Sequence, residues 1–182
     1  DEVEPIFTGV IGEGVAASQI APFTWVGSLS QWEGTKGYWA KVNEPFTFSF
    51  VEPGLLMSNS ESIKQEISEP IEINKYTEQA FYFVNEIQTE SYPKIDEGLL
   101  KAYCNGQLVG SRDWNGEWID IPAMGDDSDW FTDGYCQPGD IPEFTILNPN
   151  TDEEIKLTGS IPQWESNGLF IIETLTEVVL LP

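Results

Sequence analysis

The chain has no histidine among its 182 residues, only eight lysines and arginines, and only two cysteines. Without histidine, Ser-His-Asp triads, Cys-His nucleophile pairs and His-bearing zinc sites are all excluded. Two cysteines cannot complete a structural zinc site by themselves. Eight cations against 31 carboxylates leave a net charge of −23. Such a balance excludes binding that rests on neutralising nucleic-acid phosphates, and it repels anionic membrane surfaces. No apolar run reaches the roughly 18 residues a membrane helix needs, and the terminal stretch Glu177–Pro182 is only strand-sized. No glycine-rich phosphate loop lies between a strand and a helix, so nucleotide binding has no motif to carry it. Helix signals are equally scarce. Only Ser58–Ile67 joins a capping residue to helical spacing, and it is short and polar. The opening residues DEVEPIF have neither the basic nor the apolar region of an export signal. We therefore expect either a removed signal or release by another route, such as lysis of a host cell.

What is present is aromatic and turn-rich. Seven Trp, ten Phe and a hydrophobic fraction of 40% set the chain apart from acidic disordered sequences, which lack such residues. The acidity therefore belongs to the solvated surface of a folded protein, suited to a salty extracellular medium and attractive to divalent cations. Asn105-Gly106 and Asn115-Gly116 each read as a two-residue hairpin turn, because Asn-Gly supplies the positive-φ positions of a type I′ turn. Two hairpins in series predict an antiparallel meander. Strand-sized segments recur at the roughly 8–12-residue spacing of a sandwich or barrel. The clearest are the segments at 80–87, 99–104, 107–113, 143–147 and 154–158, with others expected at 36–42, 46–51, 169–174 and 177–181. The expected fold is an all-β antiparallel β-sandwich, jelly-roll-like, with hairpins and long acidic loops. Residues 1–52 form an N-terminal β subdomain, 53–70 a polar linker and 71–182 a C-terminal β-sandwich domain. The first part is too small for a robust core of its own, so the two parts are expected to pack together.

Asp126, Asp127, Asp129 and Asp133 crowd around Trp130 and Phe131. Calcium takes six to eight oxygens, and a short Asp-rich loop can supply several. These four aspartates are the candidate metal ligands, and calcium is the candidate ion. The EF-hand pattern fails, since Trp130 and Phe131 occupy positions that need Asp, Asn or Gly. The competing reading is a solvated turn whose aspartates cap its own amides. Cys104 and Cys136 lie at strand ends, and we expect a disulfide; two buried free thiols are the alternative. Trp114, Trp118 and Trp130 are candidate contact residues that could stack on sugar, and Trp25, Trp32 and Trp39 are a second such set. Core packing is the common fate of aromatics in sandwiches. With 31 carboxylates some pair always suits glycoside hydrolysis, so the sequence singles none out, and no catalytic residue is assigned.

TKGYW at 35–39, QAFYFV at 79–84, VGSRDWNGEWIDIPAMGDDSDWFTDGY at 109–135 and PGDIPEFTI at 138–146 together resemble a β-rich repeat. That repeat occurs in virion structural proteins of marine cyanophages and in secreted surface proteins of marine bacteria. The likeness spans nearly the whole chain, departing at Leu100–Cys104 and in the two cysteines. It implies a non-enzymatic structural or adhesion module, located in a virion or at an extracellular or cell surface. The implied partners are other subunits of a particle, or a host-surface glycan or protein. A secreted carbohydrate-binding module with a calcium-stabilised loop is the alternative.

Overall fold

A computed structural model describes residues 4–47, 73, 77–90 and 95–179. The expected linker, the helical window Ser58–Ile67 and most of the segment at 46–51 lie outside the described residues. Four N-terminal strands, β1 (Phe7–Ile11), β2 (Ala16–Ala21), β3 (Thr24–Val26) and β4 (Trp39–Val42), form an antiparallel sheet ordered β3-β2-β1-β4. Seven more form a second sheet: β5 (Gln79–Gln88), β6 (Gly98–Cys104), β7 (Gln107–Trp114), β8 (Ile119–Met124), β9 (Glu143–Leu147), β10 (Glu154–Gly159) and β11 (Leu169–Glu177). Its order is β7-β6-β9-β10-β11-β5-β8. The chain is thus all-β, two mostly antiparallel sheets forming a nearly closed sandwich.

The exception to antiparallel pairing is β5 with β11, which run parallel from Phe81 opposite Leu169 to Gln88 opposite Thr176. Parallel partners are joined by long connections and buried on both faces. β5 fits that rule, since Gln79 to Val84 is buried without interruption. Ala80, Tyr82 and Val84 point into the core enclosed by the large sheet, among Leu100, Ile121, Phe144 and Ile146. Phe81 and Phe83 point the other way and meet Ile11 and Ala16 of the small sheet. Burying each such phenylalanine contributes roughly 1.5–3 kcal/mol. β5 is therefore the wall shared by both cores.

Asn105-Gly106 makes the expected hairpin between β6 and β7, with φ of 50° and 79°. Asn115-Gly116 does not. Only Gly116 has positive φ, and β8 takes its ladder from β5 while β7 takes its own from β6. These two end strands of the large sheet meet as a seam. A Cβ at Gly110 would fall 1.6 Å from the Pro122 carbonyl oxygen, so only glycine allows the approach. Pro122 has no amide hydrogen to give a ladder. The segment expected at 169–174 runs on as one strand to Glu177, because Thr174-Leu175-Thr176 carries no turn residue to break the alternation. Val178 and Val179, expected as part of a separate strand at 177–181, are not in a strand, and 180–181 lie outside the described residues.

Candidate functional site

On the small sheet, antiparallel pairing sets Val10 opposite Ala17, so their short side chains share one face. With Phe7 and Val26 they form the base of a cleft of about 500 Å³, walled by Glu4, Trp25 and the segment Gly27–Trp32. That volume falls within the ~300–1,000 Å³ of small-ligand sites. The Trp25 Nε1–H donates to Glu4 Oε1 at 3.0 Å, which fixes the carboxylate at the cleft wall. Trp32 is 52% exposed and packs edge-on against Tyr38, centroids 4.6 Å apart. The Tyr38 hydroxyl accepts the Glu33 amide at 2.8 Å, bracing the turn that carries Trp32.

The wall of this cleft is anchored from beneath by buried polar groups of the large sheet. The Ser28 hydroxyl donates to Asp120 Oδ2 at 2.8 Å, and the Leu29 amide donates to the Ala16 carbonyl at 2.9 Å. Asp120 is fully buried, with the Arg112 guanidinium 3.7 Å away. Burial pushes the Asp120 carboxyl up to about 6; the Arg112 charge and the Ser28 hydrogen bond oppose the rise without cancelling it. Arg112 also donates to the Gly14 carbonyl. Gln79, itself buried, accepts the Gly14 amide at 3.2 Å and donates to the Gly12 carbonyl at 3.0 Å. The β1–β2 turn and the residues after β3 are thus both held on the large sheet by side chains that share one buried network.

The candidate residues of the acidic loop are gathered, but by the loop itself. Asp126 Oδ1 accepts the Ser128 amide at 2.7 Å, and Asp127 Oδ1 accepts the Asp129 amide at 3.1 Å. The buried Thr132 hydroxyl lies 2.7 Å from Asp127 Oδ1 and 2.9 Å from the Asp129 carbonyl. Gln137 Nε2 donates to Asp126 Oδ2 at 3.2 Å. The Ser128 amide, then the Gln137 amide group, hold the Asp126 carboxyl below the usual carboxylate range. Asp133 is exposed. Among the described residues no three potential ligand side chains converge as a metal site. The Cys104 and Cys136 sulfurs are bonded, with Cα atoms 5.2 Å apart. Cys136 also bridges Gly125, and its carbonyl accepts the Asp126 amide at 3.0 Å. Disulfide and bridge together close the neck of the loop.

The structure divides each of the two expected tryptophan sets. Trp114 is 3% exposed, its Nε1–H bonded to the Ile95 carbonyl at 2.9 Å. It is core, not a contact residue. Trp118 is half-buried against the second core, with Ile11 and Phe83. Only Trp130 is presented, 86% exposed at the loop tip with Phe131 edge-on at 5.3 Å. In the other set, Trp25 and Trp32 line the cleft, whereas Trp39 stands opposite Ile11 and so lies on the other face from Val10. The buried network escaped the reading of the sequence. Its one available signal is Asp120, a lone carboxylate inside the apolar strand IDIPAM.

Comparison of the chain with protein-family models, with curated proteins and with solved structures returned no match.

Proposed function

We propose that the chain is a non-enzymatic structural and adhesion module of a marine phage particle, acting as a capsid decoration or as a tail or fibre component. The observation that carries this reading is Trp130. A tryptophan that is 86% exposed on a loop closed by the Gly125–Cys136 bridge and tied to β6 by the Cys104–Cys136 disulfide is pre-organised to contact a partner, since little of its order has to be gained on binding. Large aromatics of this kind supply most of the energy of protein contacts. The resemblance to virion repeats supports the setting. So does the acidic surface, which keeps a displayed module soluble. Among the described residues no helix is long and apolar enough to cross a membrane. The test is association with intact particles. Labelled protein should co-sediment saturably with virions or with host cells, and failure to associate with either overturns the reading.

A second reading, a secreted bacterial carbohydrate-binding module, is favoured by the cleft that holds Trp25 and Trp32. In the form with a calcium-stabilised loop, Asp126 and Asp127 would have to exchange their present amide and hydroxyl donors for the ion.

A further inference from the structure

We propose that the cleft between Glu4 and Trp32 binds an uncharged pyranose at the end of a glycan. The inference rests on reading the cleft as a binding site and is independent of Trp130. A pyranose has an apolar face of C–H groups and a rim of hydroxyls. The cleft offers both complements: the aromatic rings of Trp25 and Trp32 for the face, and Glu4, Ser30 and Gln31 for the rim. A carboxylate has acceptor capacity for several hydroxyls beyond the one bond it receives from Trp25. An amide side chain can donate and accept at once.

Charge decides among glycans. Among the described residues Glu4 is the one charged residue lining the cleft, and none of the lysines or the arginine described there lines it. Sulfated or uronic sugars need such cations for charge-assisted hydrogen bonds. Here they meet a carboxylate on a molecule of net charge −23. Fixed geometry adds to the selectivity. Glu4 is tethered by Trp25, Trp32 is braced by Tyr38, and Ser28 is anchored on Asp120, so little of the cleft has to be ordered by the ligand.

The experiment is titration calorimetry at physiological salt against neutral hexose and N-acetylhexosamine oligosaccharides, with uronic and sulfated oligosaccharides in parallel. Neutral sugars should bind and anionic ones should bind at least about tenfold more weakly. Trp32→Ala should weaken neutral binding about tenfold, the scale of one lost stacking contact, and Trp32→Tyr should restore part of it. Melting temperatures of these variants should match the parent, which separates a lost contact from a lost fold. Trp130→Ala should bind sugar as the parent does, so loss of particle association and loss of sugar binding fail separately. Equal or tighter binding of anionic sugars, indifference to Trp32→Ala, or no binding by any neutral sugar overturns the proposal.

Discussion

Asp120 is the residue on which charge and packing conflict most directly. Its carboxyl is fully buried and pushed up to about 6, against an ordinary value of 3.8 in an unfolded chain. Between those values the folded protein holds a proton that the unfolded chain has released. Stability contributed by this group is therefore present below about pH 4 and is lost as pH rises through about 6. Asp126 and Glu154 act in the opposite sense. The Ser128 amide and the Thr145 hydroxyl, respectively, are the leading causes that hold them low, so they favour the fold above the usual carboxylate range and lose that contribution on acidification. Both are more accessible than Asp120, and the buried group should dominate. We expect the free energy of unfolding, from denaturant titrations, to be higher at pH 5 than at pH 7. Asp120→Asn should flatten the slope between pH 4 and 6, and an unchanged slope would show that another group is responsible.

At the scale of elements, the acidic loop sets two chemistries against each other: four aspartates that a cation would relieve, and donors of the chain itself that already do so. Thr132 is central, because its buried hydroxyl meets Asp127 and the Asp129 carbonyl together. Thr132→Val keeps the shape and removes these bonds, and should cost about 1–3 kcal/mol. Since Asp126 and Asp127 already accept backbone amides, calcium should raise the melting temperature no more than sodium at matched ionic strength. A shift specific to calcium, removed by Asp127→Asn, would contradict this and support the ion-binding reading. The elements legible beforehand were those announced by turn chemistry and alternation. β6 and β7 flank Asn105-Gly106, and β9 matches its expected bounds. β1 and β2 were not legible, because short glycine- and alanine-rich strands carry little periodic signal. Gly9 in β1 packs beside the Leu169 side chain, where any Cβ would make Leu169 shift, a tertiary fact with no local mark. The parallel pairing of β5 with β11 joins segments far apart in the chain and leaves no local mark. The aromatic sets divide for a related reason: Trp130, Trp25 and Trp32 are presented, whereas Trp114 is core. A tryptophan's type says that it will be buried or will bind, and only the face it occupies decides which.

For the whole molecule, two cores share the wall of β5, and the small sheet is held on the large one by Phe81, Phe83 and the network of Gln79, Arg112 and Asp120. The cleft and the Trp130 loop are both carried on rigid β-structure, the cleft on β1–β3 and the loop on β6 and β8 through Cys104 and Gly125. On the proposed reading, a body of this kind works by holding contact groups in place, and its acidic exterior discourages contacts elsewhere. The most direct measurement is the affinity of the protein for particles or host cells before and after Trp130→Ala. At 86% exposure the side chain contributes little to the fold, so the melting temperature should stay within about a degree of the parent. Affinity should fall about tenfold or more, the loss expected of an aromatic anchor. Unchanged affinity would contradict the account, because the one large aromatic displayed by the disulfide-anchored loop would then take no part in contact.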